Sequence, residues 1–366
     1  MIRPFTIDVT PAAVSELKRR LENLRWPKGV TDTGGISKAD VSRVVAYWRQ
    51  GFNWFAQQER LNRHEHLIVD LDEVSVHAVV MRDPRGRSRP PIVLLHGWPG
   101  SFVELLPLAT HLRDYFDVIV PSIPGFGFSS VPSRPGVTNR RVAALMTALA
   151  TALGYATFAV HGGDIGAGVA TWMAVDNPDR LDFLHLNFIP GSYWPDPAED
   201  MTPAENDFLE RRTAWLERFG AYSHIQRTTP LTPAYALSDS PVGLAAWVLE
   251  KFMVWSDPDS IIDDDSLLTN LSLYWFTNTI ASSLRYYLES SLTPLRLTVE
   301  QRVQVPTHIA HFPYEMPFPP RTWVERRYSV ARWTAMTRGG HFAALEAPEL
   351  LAADIVASSE RVGTAV

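Results

Sequence analysis

Apolar positions recur along this chain in two rhythms. Near the N-terminus, Val14, Leu17, Leu21 and Leu24 fall at helical spacing, with Lys18, Arg19 and Glu22 off that stripe. Thr10 suits an N-cap and Pro11 the first helical position, so a helix is predicted from there to Trp26-Pro27. A second helical stretch follows Ser37 and reaches about Leu61. The first 63 residues therefore read as helical, without a strand. Their apolar stripes need a partner elsewhere in the chain.

From His66 the rhythm changes. Leu67-Ile68-Val69 and Val74 to Met81 read as strands joined near Asp72-Glu73. Continuous apolar runs follow at Pro91–Leu95, Asp117–Val120, Phe158–His161 and Leu184–Phe188. Helical patterns separate them. Such alternation predicts an α/β fold, a mostly parallel sheet with helices on both faces. The alternation stops near Pro190. The next hundred or so residues are rich in Trp, Tyr and helix formers, and a structureless loop of that length is improbable. The sheet resumes at Thr307–Ala310 and Val330–Met336, and a last helix begins near Pro348. The expected organisation is a helical N-terminal extension (1–65), a sheet-bearing core (66–190 and 300–366) and a helical lid (191–299).

Composition narrows the classes. Of 366 residues, 46% are hydrophobic, enough for a substantial core. Lys plus Arg is 34 and Asp plus Glu is 40, a net charge of −6. This suits a soluble monomer or oligomer, a homodimer among them, and argues against a nucleic-acid partner. The absence of cysteine excludes disulfides, Cys-bound metals and a Cys nucleophile. Met1 to Pro11 has no apolar run, so neither a signal peptide nor a membrane anchor is expected there. The uncharged run Val142–Val160 is long enough to cross a membrane. Its threonines and Gly154 favour a buried helix to about Leu153 and a strand from Thr157.

In open α/β sheets, ligands bind beyond the carboxyl ends of the strands. Four polar clusters fall at such ends: His96–Gly100, Gly162–Gly166, Pro313–Glu315 and Gly339–His341. Gly162-Gly163-Asp164-Ile165-Gly166-Ala167 has the form of a nucleophile elbow, with Gly162, Gly166 and Ala167 small enough for strand and helix to approach. Its central residue is Asp164, for which a helix N-cap is the plain alternative. A carboxylate nucleophile would attack an electrophilic carbon and form an ester, whose hydrolysis needs a general base. His341 follows the last predicted strand and matches the order nucleophile, acid, His. Otherwise it is an ordinary surface His. Glu315 lies after the preceding strand and suits the orienting acid better than Asp196 or Glu346. Trp98, in the His96-Gly97-Trp98-Pro99 loop, and Ile165, next to the nucleophile, would supply the N–H groups of an oxyanion hole. A tight turn is the plain reading of His96-Gly97. No metal site emerges. His64 and His66 lack zinc-site spacing, His308 and His311 face opposite sides of a strand, and Asp263-Asp264-Asp265 reads as the cap of a helix beginning at Leu267.

Several long segments in order carry a resemblance. They are Leu24–Pro27, His96–Ser101, Gly162–Gly166, Ser238–Ala246, Tyr274-Trp275 and Gly339–Ala344. The chain resembles the microsomal-type branch of the epoxide hydrolases, within the α/β-hydrolase fold. The resemblance implies Asp164 as nucleophile, His341 as base and Glu315 as its partner. It also implies two lid tyrosines that hydrogen-bond the epoxide oxygen. The matching positions are Tyr222 and Tyr287, with Tyr286 a rival for the second. Membrane-bound relatives carry an N-terminal anchor, and none is seen here, so a soluble, cytoplasmic protein is expected. The implied activity is cofactor-independent conversion of an epoxide to a vicinal diol. Aromatic lid residues, with Trp275 or Trp247 against the pocket, suggest an aromatic or bulky apolar epoxide. A haloalkane dehalogenase shares an Asp–His–acid triad but usually needs an indole where Ile165 stands. A non-catalytic relative would generally lack a triad member, and none is missing.

Overall fold

Strands rich in Val, Ile and Leu build one sheet in this computed structural model, which describes residues 1–29, 34–83, 89–195 and 200–360. Among the described residues the strands are β1 (Ile2–Phe5), β2 (Glu65–Leu71), β3 (Val74–Met81), β4 (Pro91–Leu95), β5 (Asp117–Pro121), β6 (Phe158–Gly162), β7 (Leu181–Leu186), β8 (Val303–His311) and β9 (Tyr328–Ala335). Their order is β1-β2-β3-β5-β4-β6-β7-β8-β9. The first three join antiparallel, and every pair from β5 to β9 is parallel. β4, β5 and β6 are buried along their whole length, which is why they read as unbroken apolar runs. β4 sits between β5 and β6, so the chain reverses its direction of winding there. That switch point opens a crevice at the carboxyl ends of β4 and β6.

The helices follow from their caps and stripes. Thr10 caps the helix Pro11–Glu22, and Val14, Leu17 and Leu21 are buried. That helix stops at Glu22, short of Trp26-Pro27. The stretch after Ser37 is two helices, Lys38–Gln50 and Trp54–Leu61, with Asn53 capping the second. Asp263 caps the helix Asp264–Thr277, which starts three residues before Leu267. The run Val142–Val160 divides between the helix Asn139–Ala152 and β6. Among the described residues no helix is long and apolar enough to cross a membrane.

Two strand expectations need correction. The first 63 residues are not strand-free, because Ile2–Phe5 pairs with β2, Ile2 opposite Val69 and Phe5 opposite His66. This edge strand exposes three of its four side chains and contains Pro4, so no alternation marks it. β7 covers Leu181–Leu186, where pairing with β6 and β8 holds it, and Asn187 and Phe188 lie beyond it.

Among the described residues six helices lie between β7 and β8: Pro203–Phe219, Ala221–Thr228, Leu231–Asp239, Pro241–Trp255, Asp264–Thr277 and Ile280–Leu292. The N-terminal helices pack against this group. The buried Trp48 donates its indole N–H to Ser272 Oγ at 2.9 Å. Tyr47 and Gln57 both bond the Asp265 carboxylate, and Arg20 pairs with Asp239 at 2.7 Å.

Candidate active site

The turn from β6 into the helix Asp164–Asp176 raises one side chain above the sheet. Asp164 has φ +46°, in the left-handed region that a non-glycine residue occupies only under strain. Close packing makes the turn possible. A Cβ on Gly166 would lie 2.1 Å from the Leu95 carbonyl oxygen, so only glycine lets this helix reach β4. A Cβ on Gly97 would lie 2.3 Å from that of Asp164. Asp164 is not the cap of its helix. Gly163 holds that position, without a side-chain bond. The Asp164 carboxylate instead turns to the β4 loop, where Oδ1 accepts from the Trp98 N–H at 2.8 Å. Ile165 is the second residue of the helix, where a backbone N–H has no intrahelical acceptor.

Two further loops meet this turn. Glu315 follows β8 and His341 follows β9, and the backbone bridge Tyr314–Gly340 ties the loops together. Glu315 Oε1 lies 2.7 Å from His341 Nδ1, with the Glu315 side chain fully buried. His341 Nε2 lies 3.5 Å from Asp164 Oδ2. Burial opposes charge on His341, but the Glu315 carboxylate and Asp164 outweigh it and hold its pKa well above the ordinary value. Glu346 does not compete for this ring. It accepts from the backbone N–H groups of Phe342 and Asp257. Asp196 lies outside the described residues.

Above the site is a cavity of about 580 Å³, lined by Asp164, Ile165, Tyr222 and Tyr287 among others. The Tyr222 ring stacks on Trp98 at 5.4 Å and lies 6.0 Å from the Tyr287 ring. Burial, reinforced by the Asp164 charge, pushes both phenols up, so each keeps its proton. Tyr286 also borders the cavity, but its hydroxyl donates to Asn139 Oδ1 at 2.7 Å. Neither Trp247 nor Trp275 is part of the lining. Trp247 donates to Gln226 Oε1, and Trp275 lies under the Arg20 guanidinium. The aromatic wall is Tyr193, Trp194, Phe208, Trp215 and Trp323, with Arg212 and Arg296 lying against the Trp194 ring.

Residues 2–105 match the family model described as epoxide hydrolase N terminus, and residues 90–236 match that of the alpha/beta hydrolase fold. Epoxide hydrolase 1 of Sus scrofa is 35% identical to this chain, covering 97% of it and 87% of its own length. The crystal structure of juvenile hormone epoxide hydrolase from the silkworm Bombyx mori matches with a TM-score of 0.89 at 30% identity, covering 99% of this chain and 95% of that one. Aspergillus niger epoxide hydrolase matches with a TM-score of 0.89 at 28% identity, covering 99% and 97%. The chain belongs to the epoxide hydrolase family.

In this epoxide hydrolase some supports of the site escaped the sequence pattern. The end of the helix Pro241–Trp255 braces the His341 loop. Trp255 O accepts from the His341 N–H at 3.0 Å, and Asp257 Oδ2 accepts from the Gly339 N–H at 2.8 Å. Gly340 allows the approach, since a Cβ there would lie 2.8 Å from Trp255 O. The paired glycines before His341 were the available signal. His96 is also a support. Its Nε2 accepts from the Ile123 N–H at 3.1 Å, and its Nδ1 lies 3.0 Å from Gly97 O. Burial lowers its pKa to about 4, so it pins the loop as a neutral ring. His66 is buried against His77, His308 is buried on β8, and neither joins the site.

Proposed function

We propose that this epoxide hydrolase opens an oxirane by attack of Asp164 and releases a vicinal diol by hydrolysing the resulting ester. The observation that carries this reading is the setting of the Asp164 carboxylate. Oδ1 is held by Trp98, Oδ2 lies beside His341, and Asp164 borders the cavity that Tyr222 and Tyr287 also line.

Oδ2 attacks a ring carbon opposite the departing oxygen. The carbon–oxygen bond breaks, and a phenol of Tyr222 or Tyr287 protonates the alkoxide. The proton that His341 carries beside two carboxylates restores the phenol. Ester formation removes the Asp164 charge that helped hold that proton, and leaves a neutral imidazole. His341, oriented by Glu315, then takes a proton from water. The hydroxide adds to the ester carbon, and the N–H groups of Trp98 and Ile165 stabilise the oxyanion. The alkyl oxygen leaves and takes the remaining water proton from the new carboxyl, which regenerates the carboxylate. The helices between Pro203 and Leu292 act as the lid, and their aromatic wall fits an apolar or aromatic epoxide.

An aryl epoxide should yield diol and a chloroalkane no chloride. In a single turnover in ¹⁸O-labelled water, the diol should carry unlabelled oxygen and the label should enter the Asp164 peptide. Label in the diol of the first turnover would mean direct attack by water and would overturn the covalent route. Glu315→Gln should slow ester hydrolysis more than alkylation, by up to about 10⁴-fold, the loss a triad carboxylate can cause. Because Glu315 raises the His341 pKa and hydrolysis needs the neutral ring, the acid limb of hydrolysis should move to lower pH. Stopped-flow measurement of both steps across pH checks the rate and the direction. Equal slowing of both steps would assign the orienting acid elsewhere.

A further inference from the structure

Asp164 borders two spaces. One is the large cavity that holds the two tyrosines. The other is a pocket of about 20 Å³ lined by Gly97, Glu104, Asn187 and His341 among others, and Asp164 is the residue that the two linings share. A single water needs about 10–15 Å³ of such space and two to four polar partners. The small pocket therefore has room for one water, beside a carboxylate and an imidazole.

Glu104 is the polar group there that the reaction above leaves unused. It sits in the short turn Phe102–Leu105, just after the β4 loop. Its Oε1 accepts from the Gly97 N–H at 3.4 Å. Its Oε2 is shielded from solvent and has no hydrogen-bond partner among the described residues. A buried oxygen without a partner is destabilising, so water is the partner that a polar pocket of this size would supply.

We propose that Glu104 seats the hydrolytic water, its Oε2 accepting a hydrogen bond from one O–H while the other O–H donates to His341 Nε2, which takes that proton. This assignment rests on the covalent reading above. A water with both hydrogens engaged presents only lone pairs to the ester carbon of Asp164. The alkyl group of the ester occupies the large cavity, and the water approaches from the small one. Glu104 is a shielded carboxyl. Burial raises its pKa to about 8, the Gly97 N–H and His341 oppose that rise, and the Asp164 charge adds to it.

Two variants test this without touching Asp164, His341 or Glu315. In Glu104→Gln the amide has one acceptor. The Gly97 N–H claims it, and the NH₂ then points donors at the water. In Gly100→Ala the new Cβ would fall 1.5 Å from Glu104 Oε2, so the flexible end of that side chain must leave its seat. Single-turnover mixing with an aryl epoxide, read by intact mass, separates ester formation from ester decay. Both variants should slow decay by about 10- to 100-fold, the loss that misplacing a reacting group causes. Both should accumulate the ester, with alkylation within about threefold of wild type. Decay at the wild-type rate in both variants overturns the assignment, and so does equal slowing of the two steps, which marks a merely structural carboxyl. If no ester forms in any protein, wild type included, the covalent reading fails and takes this one with it.

Discussion

His341→Gln should halt the enzyme as an ester. Asp164 can still attack, because its Oδ1 remains held by Trp98 and the phenols remain in place. Nothing then takes the proton from water. Turnover should fall by at least about 10⁴-fold, the scale on which removing a triad member acts. Intact-mass measurement should show the protein heavier by one substrate mass, with the adduct on the Asp164 peptide. Asp164→Ala should lose turnover to the same degree and show no adduct, with an unchanged circular-dichroism spectrum. An adduct on another residue, or none at saturating epoxide, would remove the covalent scheme.

The second large effect belongs to Tyr222 and Tyr287. Opening an epoxide develops negative charge on oxygen, and donors aimed there stabilise the transition state more than the ground state. Tyr222→Phe and Tyr287→Phe should each slow alkylation, by up to the roughly 10²–10³-fold that losing one such donor costs. The double variant should be slower than either, because one phenol partly covers for the other. Hydrolysis of a preformed ester should change less. Tyr286→Phe should alkylate near the wild-type rate, since the hydroxyl it loses is bonded to Asn139. Rapid-quench kinetics on the four variants measures the effect. Wild-type alkylation in Tyr222→Phe, Tyr287→Phe and the double variant would overturn the role of these phenols. Impairment of Tyr286→Phe alone would move that role by one position.

The central sheet and its crevice were legible because strands buried on both faces leave long apolar runs, and each run ends in a glycine-marked turn. Asp164, Glu315 and His341 could be chosen from their places at strand ends, and the structure brings them within hydrogen-bonding range of one another or close to it. The tyrosines came from the family resemblance, since nothing in helical spacing separates Tyr287 from Tyr286. β1 was hidden because an exposed edge strand of four residues has no buried face to imprint. Trp247 and Trp275 were misplaced for a different reason. The helices between β7 and β8 carry aromatic side chains on several sides, and only the packed structure shows which side meets the cavity. Glu104 went unread because Phe102-Val103-Glu104-Leu105 looks like an apolar turn with one surface charge, and its burial against Gly97 is a tertiary outcome.

The N-terminal helices have a consequence for what can reach the site. Arg20, Arg43, Tyr47, Trp48 and Gln57 fasten the helices around Asp239, Asp264, Asp265 and Ser272 from outside. Swinging that assembly away as one piece would break these bonds together and bare the buried Trp48 and Trp54. A rigid swing of that assembly is therefore a costly way in, and entry past it should be filtered by the width of a molecule more than by its length.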